Sequence, residues 1–324
     1  MSSPAPTRIS RALSAFDHAS RRWAAIPLRD THESEPALFS QKPSSRKHTL
    51  SLTTWNLWAY RSRSTAARSE LILDHVLKAP KFPDIIFLQE VSSSARRSLL
   101  ENPRVRSSFL TTDAGDDSAF KGKPIATMTL LSSKRFRSPL LAEEEKVMIN
   151  GDAKDGGSKL VLDSVFRQEL PSRYGRDALC VNIAAPSAPG KVLRLLNVHL
   201  ESLDSHLRRA LQMMILAGLL REPECAGGVI AGDFNALGAE DHALVDKFEL
   251  LDAWIALHGC TTEPHGGATW GVGIGFEDGQ KPRRLDKVVM LGLQPKEIEV
   301  LQPGLLDANT PWSDHCGLRC TFNI

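Results

Sequence analysis

Five polar residues stand where apolar, strand-like stretches of this chain end. They are Asn56, Glu90, His199, Asp233 and Asn235. Carboxylate and amide oxygens suit a hard cation such as Mg²⁺, which takes one or two carboxylates and keeps several waters. A histidine and an aspartate beside such an ion are the groups that attack of water on a phosphate ester requires. The residue types therefore predict a metal-assisted hydrolytic site.

Three further candidates follow towards the end of the chain. Asp286 precedes an apolar run, and Asp314 and His315 stand just before the last strand-like segment. Together with Ser313 they do not predict a serine-hydrolase triad, because neighbours in an extended segment point apart. Each candidate taken alone also has a structural explanation. A carboxylate can favour a helix N-terminus or a turn, and a histidine can be a hydrogen-bonded core residue.

The elements that must position these residues alternate irregularly from residue 49 onwards. Apolar patterning predicts strands at 49–56, 84–89, 125–131, 160–166, 178–184, 192–200, 228–232, 284–290 and 316–323. It predicts helices at 65–78, 92–100, 205–220 and 241–258, the last interrupted near residue 248. Within the third helix, one apolar face is predicted from Leu207, Leu211, Met214 and Leu219.

Helices interspersed among strands without strict β-α-β alternation predict a two-sheet α/β sandwich. Residues 49–324 are expected to form one domain. Residues 1–48 are rich in Ser, Pro, Ala and Arg and show no convincing strand pattern. We expect them to form an arm that is flexible or packs on the domain. Apolar residues at helical spacing beside arginines leave a mitochondrial presequence as the alternative.

The charge of the chain excludes one mode of substrate attraction. The 324 residues include 40 Lys and Arg against 38 Asp and Glu. Residues 1–50 hold eight basic and four acidic residues, which leaves 32 basic and 34 acidic residues for 51–324. A body so nearly neutral does not attract nucleic acid by its overall field. A phosphate-rich substrate would therefore require a local basic groove or a metal ion.

The cysteines indicate the expected compartment. Their number, five, is odd and includes no Cys-x-x-Cys pair, which disfavours a disulfide framework and a structural zinc site. We expect reduced, mostly buried thiols in an intracellular protein, in the nucleus or cytoplasm, with the mitochondrion as the alternative. Since no apolar run reaches the ~20 residues of a membrane span, we expect no membrane partner. We further expect a monomer.

Taken in order, the candidates resemble the successive motifs of the endonuclease/exonuclease/phosphatase superfamily. The matching segments agree in order, strand-end context and spacing over residues 49–324. They are Trp55-Asn56, Leu88-Gln89-Glu90, His199-Leu200-Glu201-Ser202, Gly232-Asp233-Phe234-Asn235 and Ser313-Asp314-His315. The resemblance implies a four-layer α/β sandwich that hydrolyses a phosphodiester with Mg²⁺ or Mn²⁺.

The resemblance also implies a role for each matched residue on the metal side of the site. Glu90 would ligate the metal ion, Asn56 would help to order the site, and Asp314 would sit at the metal edge. Asp233 would orient or deprotonate the attacking water. The implied metal set is therefore Glu90, Asn56 and Asp314.

The remaining matched residues would act on the phosphate. Asn235 would hold a phosphate oxygen, and His199 would hydrogen-bond the phosphate. His315 would stabilise charge on the phosphoryl group, with its ring oriented by Asp286. A hard ion, a poised carboxylate and a cationic donor around one phosphorus form a coherent division of labour.

Within the superfamily, several segments resemble the tyrosyl-DNA phosphodiesterase 2 family and its fungal-type relatives. These are 85–91 (IIFLQEV), 199–202 (HLES), 252–254 (DAW), 269–270 (TW), 284–286 (RLD) and 313–318 (SDHCGL). This closer resemblance implies release of a tyrosine adduct from a DNA 5′ end. The expected partner is therefore a phosphoester substrate at a DNA end or in a protein–DNA adduct, and the expected biological role is DNA repair.

Three departures from that family fall on substrate recognition. Trp58 stands where the family has an acidic residue, Leu237 where it has an arginine, and Leu203-Asp204 where a basic residue is expected. Such side chains would cradle an aromatic leaving group or a DNA phosphate. Two alternatives therefore stay open. One is the same chemistry on RNA, a nucleotide, or a small-molecule or lipid phosphate; the other is a catalytically silent binding module.

Three residues are candidates for binding the substrate. Arg176 and Arg284 could supply phosphate contacts, although an arginine considered alone is more often a solvated surface charge. Trp270 could stack on a base or a tyrosine, or it could lie at the edge of the core.

Overall fold

The computed structural model describes residues 7–28, 49–59, 65–78, 81–138, 159–259, 266–274, 279–307 and 310–324. In these ranges, Cys180, Cys225, Cys316 and Cys320 are buried, free thiols, as predicted. Cys260 lies outside the described residues. None of the helices in the described ranges is long and apolar enough to cross a membrane.

Sixteen strands form the two sheets of the described structure. In chain order they are β1 (Arg8–Ser10), β2 (Leu13–Asp17), β3 (Arg22–Ala25), β4 (Thr49–Asn56), β5 (Ile85–Val91), β6 (Phe109–Thr112), β7 (Ala126–Ser132), β8 (Phe136–Arg137), β9 (Leu160–Glu169), β10 (Asp177–Ala184), β11 (Val192–His199), β12 (Cys225–Asp233), β13 (Leu251–Asp252), β14 (Asp286–Leu291), β15 (Gln294–Leu301) and β16 (Gly317–Asn323).

The first sheet has the strand order β1-β9-β10-β11-β12-β14-β13, with β8 paired to β9. The second has the order β15-β16-β4-β5-β7-β6-β2-β3. A parallel pair lies at the centre of each sheet, β11 with β12 and β4 with β5, and β8 also pairs in parallel with β9 in the first sheet. Because parallel strands end at the same edge, the two central pairs bring four strand ends to one side of the sandwich.

Seven helices surround the two sheets in the described ranges, and the last of them places Ala253 in the core between the sheets. They are α1 (Thr65–Lys78), α2 (Ser93–Glu101), α3 (Pro103–Ser108), α4 (His206–Leu220), α5 (Ala239–His242), α6 (Leu244–Lys247) and α7 (Ala253–His258). Helix α2 begins after Ser92, whose hydroxyl accepts a hydrogen bond from the Ala95 amide at 3.2 Å.

Neighbouring residues of a strand pack into different cores because their side chains point to opposite faces. Phe87 and Leu195 lie in the cluster between the two sheets. Leu196 joins the cluster under α4, and Leu88 joins the cluster under α1 and α2. Helices, sheet, sheet and helices therefore form four layers, the α/β sandwich of the endonuclease/exonuclease/phosphatase type that the resemblance implied.

All nine predicted strands are confirmed, with ends that shift by at most three residues. Helices 65–78, 92–100 and 205–220 are confirmed within one residue, and the predicted break near residue 248 follows the end of α6 at Lys247. The patterning missed α3, the short strands β8 and β13, and the longer strands β6 and β15.

The apolar face predicted for α4 is largely wrong. Leu207, Leu211 and Met214 are 79%, 46% and 52% exposed, and only Leu219 is buried. The helix packs through a different face, which includes Arg209, Gln212, Met213, Leu216 and Leu220. Because both faces carry apolar residues, the pattern could not tell which one meets the sheet.

The segment before residue 49 contains three strands where none was predicted. Strand β1 pairs with β9 in the first sheet, and β2 pairs with β6 in the second. The Arg11 amide donates to the Val165 carbonyl at 2.8 Å, and Leu13 is fully buried in the core between the sheets. Residues 8–17 therefore pass from one sheet to the other. Residues 1–6 and 29–48 lie outside the described ranges.

Candidate active site

The registers of the two parallel pairs align most of the predicted residues. In the second sheet Asn56 is opposite Gln89, and in the first sheet His199 is opposite Asp233. Strand β14 adds Asp286 opposite Asp233. These strand ends therefore meet at one edge of the sandwich.

Glu90 projects into this edge from an irregular backbone. The register of β5 on β7 shifts between Leu88 and Val91, and Glu90 has φ +52°. A bulge re-aims a side chain, and positive φ costs free energy for a residue other than glycine. Asn235 at the end of β12 has φ +47°. Two of the predicted residues are thus held in conformations that the surrounding strands impose.

Gly232 allows the two central strands of the first sheet to approach closely. Its φ is +141°, and a Cβ atom there would lie 1.9 Å from the Val198 carbonyl oxygen. No other residue fits without a shift of the backbone. The tight pairing places His199 beside Asp233, with His199 Nε2 3.4 Å from Asp233 Oδ2.

Asp233 is the centre of the site's hydrogen bonds. Its Oδ1 accepts from the Asn235 amide at 2.8 Å, and its Oδ2 accepts from Asn56 Nδ2 at 3.0 Å. Asn56 Nδ2 also donates to Glu90 Oε1 at 3.3 Å. Burial raises the pKa of the Asp233 carboxyl, and the charge of Asp286 raises it further against the opposing effect of His315.

His315 is held between two carboxylates. Its Nδ1 lies 2.7 Å from Asp286 Oδ2 and its Nε2 lies 3.7 Å from Asp233 Oδ2. Burial alone would lower the pKa of His315, but the negative charges of Asp286 and Asp233 raise it well above its ordinary value. The ring position is fixed further by the His315 amide, which donates to Ser313 Oγ at 3.0 Å.

His199 differs from His315 in its charge state. Its Nδ1 lies 2.9 Å from Nη1 of Arg176. Because arginine can only donate, Nδ1 must accept and Nε2 carries the proton. Burial lowers the pKa of His199, and the positive charges of Arg176 and His315 lower it further. His199 is therefore a neutral imidazole that faces Asp233 with an N–H.

Arg176 reaches this site from the loop before β10. Besides His199 it binds Ser202, whose Oγ accepts from Arg176 Nη2 at 2.9 Å. Its Nε is buried and has no hydrogen-bond partner. The guanidinium also lies over the ring of Tyr174, 5.6 Å from its centroid. The predicted substrate-binding arginine is thus part of the cluster and not a solvated surface charge.

Trp270 and Asp314 lie at the opposite rim of the site. The Trp270 indole Nε1 donates to Asp314 Oδ2 at 3.0 Å, and the Trp270 backbone bridges to that of His315. Burial raises the pKa of the Asp314 carboxyl, and the charges of Glu90 and Asp233 contribute in the same direction. Trp270 is only partly buried, so its ring borders the site from the core edge.

Three buried carboxylate oxygens in this cluster have no hydrogen-bond partner. They are Glu90 Oε2, Asp286 Oδ1 and Asp314 Oδ1. Together with Asp233, these residues give the site four carboxylates. When all four are ionised, their negative charge exceeds the positive charge of Arg176 and His315 by two. Buried anionic oxygens without donors are costly unless a cation pairs with them. The donor set therefore fits one divalent cation, such as Mg²⁺ or Mn²⁺.

Ligand-capable atoms of Asp233, Asp286 and His315 also lie within 4.8 Å of one another. That trio is a poorer fit for the cation. The His315 ring donates from Nδ1 to Asp286, and its other nitrogen faces Asp233, so an imidazolium leaves no lone pair for a metal ion. Glu90 and Asp314 offer free oxygens without this competition.

Two predicted residues are placed differently from the expectation. Arg284 pairs with Asp252, with Nη1 at 2.9 and 2.7 Å from the two carboxylate oxygens, next to buried Lys287. Its predicted contact with substrate thus gains no support from the site geometry. Asn235 is in the cluster, but its Nδ2 already donates to the Leu200 carbonyl at 3.0 Å.

The residues that join the sheets beneath the site were not predicted from the sequence as functional residues. Gln89 Nε2 donates to Asn197 Oδ1 at 2.8 Å, and Asn197 Nδ2 donates to the Met128 carbonyl at 2.9 Å. Both side chains are fully buried. Their signal was a polar amide inside an apolar strand, which is uncommon because burial must be compensated by hydrogen bonds. Buried Glu201 likewise accepts from the Arg173 amide at 3.0 Å and fixes the Arg176 loop.

With this geometry in place, the chain can be assigned to a protein family. It belongs to the Endonuclease/Exonuclease/phosphatase family, whose profile matches residues 53–315. The chain is therefore a hydrolase of the phosphodiesterase and nuclease type, and members of this family use divalent metals. No curated protein sequence matches it.

Several solved structures share the fold. D. rerio TDP2 complexed with a single-strand DNA product has a TM-score of 0.62 at 20% identity, over 85% of this chain and 99% of that chain. Truncated Caenorhabditis elegans TDP2 has a TM-score of 0.60 at 20% identity, over 85% of this chain and 98% of that chain. The human Nocturnin catalytic domain with a bound sulfate anion has a TM-score of 0.55 at 18% identity, over 90% and 99%. At these identities the similarity concerns the fold.

Proposed function

We propose that this chain is a Mg²⁺- or Mn²⁺-dependent phosphodiesterase that acts at DNA ends and removes 5′-phosphotyrosyl adducts. The observation that carries the proposal is the set of three partnerless carboxylate oxygens beside Asp233 and two histidines of opposite charge state. A buried site with this composition has the metal ligands, the base and the proton donors that hydrolysis of a phosphate ester requires.

Glu90 and Asp314 would hold the cation through their free oxygens, with Asn56 orienting Glu90 through its amide. Asn56 Oδ1 accepts from the Trp58 amide at 2.9 Å, so its role in this arrangement is to order the carboxylates. When bound, the cation stabilises negative charge on a phosphoryl oxygen and positions water.

Asp233 is the general base in this proposal. The Asn235 amide donates to Asp233 Oδ1, and Asn56 donates to Oδ2. Oδ2 therefore lies between Asn56 and His199. Water would lose a proton to Asp233 as the water oxygen forms a bond to phosphorus. The bond from phosphorus to the tyrosine oxygen would break, and the tyrosine would leave as a phenolate. His315 would donate from Nε2 to the phosphoryl group, because Asp286 holds Nδ1. His199 Nε2–H supplies a second donor.

A DNA end fits the rim of the site. Arg176 presents a largely buried guanidinium beside His199, suited to a phosphate oxygen, and Trp270 presents a partly exposed ring for stacking. The similarity in fold to a TDP2 that holds a single-strand DNA product supports this choice of substrate. We further propose that the protein acts as a monomer in the nucleus or cytoplasm.

A second candidate substrate is RNA or a free nucleotide. It is favoured by Leu237, which stands where the tyrosyl-DNA family has an arginine, and by Trp58 in place of an acid. The Trp58 ring lies over buried Arg68, 5.4 Å from the guanidinium, so this corner of the site is aromatic. A flat ring can stack on any base, and only contact with a 2′-hydroxyl separates RNA from DNA.

The deciding experiment compares a 5′-phosphotyrosyl DNA oligonucleotide, an RNA oligonucleotide of equal sequence and bis-p-nitrophenyl phosphate. Each is incubated with Mg²⁺, with Mn²⁺ and with EDTA. Metal-dependent release of tyrosine would support the proposal. Hydrolysis of RNA or of the small diester alone would transfer the proposal to the second candidate.

A catalytically silent binding module remains the third possibility for the physiological role, and calorimetry with Mg²⁺ and Mn²⁺ tests it. We expect a binding isotherm that disappears in Glu90→Gln. No heat of binding and no turnover with any of the three substrates would sink the enzymatic proposal.

A further inference from the structure

A second concave surface lies outside the catalytic cluster. It is a groove of about 340 Å³ along the exposed face of α2, and the residues that shape it include Trp23, Arg96, Arg97, Leu100, Arg106 and Phe120. We call it the Arg97 groove. Trp23 precedes residue 53, where the match to the family begins, so the groove is built partly from chain outside the family's shared region.

Two arginines of the Arg97 groove are held in fixed positions. Arg96 donates from Nε to the Asp113 carbonyl at 2.6 Å and from Nη2 to the Ala114 carbonyl at 2.9 Å. Arg106 donates from Nε to the Leu100 carbonyl at 2.8 Å. Each guanidinium also lies over an aromatic ring, that of Phe120 and Phe16 respectively. Held in this way, they lose little further entropy when they bind an anion.

The third arginine is uncommitted. Arg97 is exposed and makes no hydrogen bond or ion pair within the described residues. Of the two acids on the groove, Asp117 has a partner in Lys121 at 3.5 Å. Three arginines therefore face two acids, Glu101 and Asp117, and the lining of the groove is net positive by one charge.

Aromatic surface adjoins these cations. The indole of Trp23 is anchored by a hydrogen bond from Nε1 to the Leu100 carbonyl at 3.1 Å and remains half-buried. Guanidinium groups next to an anchored flat ring match a ligand that carries phosphates and bases, because phosphate takes the N–H donors and a base stacks on the ring. An acidic peptide would use the arginines but leave the ring without a flat partner.

The segment that leads from β6 into β7 contributes residues to both the groove and the catalytic cavity. Asp117 and Phe120 line the Arg97 groove, and four residues that follow line the cavity that contains Glu90, Arg176 and His199, namely Lys123, Ile125, Ala126 and Thr127. Lys123 lies on the cavity side of this segment, with Nζ donating to the Gly175 carbonyl at 2.6 Å. Helix α2 itself begins only three residues after Glu90. A strand bound in both the cavity and the groove would therefore cross this segment and the start of α2.

We propose that the Arg97 groove binds a single-stranded nucleic acid several nucleotides from the phosphate that is cleaved. This inference rests on the proposed function for the position of the cleaved end, but binding in the groove can be measured without turnover. It predicts that the enzyme prefers substrates with a single-stranded extension over mononucleotides and short diesters. Stacking and phosphate contacts without base readout imply little sequence preference.

Binding is tested by fluorescence anisotropy of a labelled 12-nucleotide DNA strand in EDTA, where no hydrolysis interferes. We expect Arg97→Gln to weaken binding about fivefold and to reduce the slope of log K against log salt by about 0.7, the value for one lost phosphate contact on a single strand. Arg97→Lys should retain most of that slope. Lys134→Gln is the matched control, because Lys134 is an exposed cation at the far end of β7 from the site.

A second variant tests the stacking surface. Trp23→Leu keeps an apolar side chain and should weaken binding about fivefold while leaving the salt slope of wild type. Thermal unfolding of each variant checks that the fold is retained. Equal affinity of Arg97→Gln, Lys134→Gln and wild type for the strand would overturn the proposal. So would competition by AMP as effective as that by an unlabelled strand, since the groove would then take free nucleotides.

Turnover supplies the link to catalysis. For wild type we expect kcat/KM to rise with substrate length from two to twelve nucleotides. In Arg97→Gln, the ratio of kcat/KM for the longest substrate to that for the shortest should be smaller, because KM for the long substrate increases. If Arg97→Gln loses binding but keeps the wild-type ratio of kcat/KM between long and short substrates, the substrate does not occupy the groove during turnover. That result would overturn the proposal. If no nucleic acid is hydrolysed while the anisotropy results hold, the proposed function fails and the groove stands.

Discussion

Glu90 shows how single atoms in this site define the expected chemistry. One of its carboxylate oxygens accepts a hydrogen bond from Asn56, and the other is buried without a partner. We expect Glu90→Gln to reduce turnover about 100-fold or more, because a neutral amide cannot hold a divalent cation as a carboxylate does. Steady-state hydrolysis of bis-p-nitrophenyl phosphate with Mg²⁺ measures this loss.

The thermal unfolding midpoint of Glu90→Gln should stay close to that of wild type, since an amide oxygen can still accept from Asn56. Glu169→Gln, at the exposed end of β9, is the matched control and should retain full activity. Retained turnover in Glu90→Gln would show that the cation, or the reaction, is organised elsewhere.

Arg176 leads to a second prediction at the residue scale, because it sets the tautomer of His199. Its Nη1 is the donor to His199 Nδ1, and its Nη2 binds Ser202. We expect Arg176→Gln to reduce kcat/KM about tenfold or more, since the imidazole loses its orienting donor and the substrate loses a cation. Kinetics on an oligonucleotide and on bis-p-nitrophenyl phosphate would separate the two effects.

Arg173→Gln is the matched control for Arg176→Gln. Arg173 belongs to the same loop, and its side chain is exposed, while its backbone amide binds Glu201. If both variants lost activity equally, the loop as a whole would be responsible and not the contact with His199.

Much of the site could be predicted from single residues, for a physical reason. Asn56, His199, Asp233 and Asp286 lie at the ends of apolar strands, and ends of neighbouring strands meet. The contact between His199 and Arg176 could not be predicted, because it joins a strand end to a loop 23 residues earlier. The sequence contains no periodic signal for such a contact.

At the scale of elements, α4 and α5 are joined by a buried ion pair that the helical pattern did not show. Arg209 Nε and Nη2 donate to the two carboxylate oxygens of Asp241 at 2.8 Å, and both residues are at most 5% exposed. We expect Asp241→Asn to reduce the free energy of unfolding by about 3–5 kcal/mol, because it leaves a buried arginine without its counter-charge. Urea denaturation measures this change.

The same pair gives the stability a pH dependence with a defined sign. Burial would raise the pKa of Asp241, but the hydrogen bonds from Arg209 and His206 outweigh it and hold that pKa below the ordinary 3.8. A carboxyl with a depressed pKa contributes its full stabilisation above its unfolded value and loses it as pH falls through the folded value. The difference in unfolding midpoint between wild type and Asp241→Asn should be constant from pH 7 to about 4 and should narrow below that.

A matched control for Asp241→Asn is Asp246→Asn, on the exposed side of α6. It should leave the midpoint and its pH dependence as in wild type. A gap between wild type and Asp241→Asn that stays constant down to pH 3 would contradict a depressed pKa for Asp241.

Elements were predicted well where their residues alternate between two cores. Strand β11 is buried at every position, and its neighbours Leu195 and Leu196 belong to different clusters. Strand β15 was missed because it is an edge strand with Lys296, Glu297 and Glu299 in its sequence. Edge strands carry charges that prevent further pairing, and this composition hides them from a search for apolar runs.

At the scale of the whole molecule, residues 8–17 are a connection between the two sheets. Strand β1 extends the first sheet, β2 extends the second, and Leu13, the first residue of β2, is fully buried in the shared core. The sequence favoured an arm here because residues 1–48 are rich in Ser, Pro, Ala and Arg, and β1 and β2 are only three and five residues long. Pairing with β9 and β6 is what orders these strands. Tertiary context thus overrode a weak local pattern.

This connection predicts that a substitution near the N-terminus weakens the entire sandwich. We expect Leu13→Ala to lower the free energy of unfolding by about 2–5 kcal/mol, because it leaves a cavity in the core between the sheets. Unfolding should remain a single transition in urea, followed in parallel by far-UV circular dichroism and tryptophan fluorescence.

Ile9→Ala is the matched control, since Ile9 is only partly buried in β1 and its loss should cost less. If residues 8–17 folded as an arm apart from the domain, Leu13→Ala would leave the main unfolding transition in urea unchanged. Two separate transitions in wild type would contradict the connection as well, because each sheet would then unfold without the other. A shared transition that moves with Leu13 would show that stability in this fold is held jointly by both sheets, and that the strand ends of the catalytic site depend on a segment outside the family's shared region.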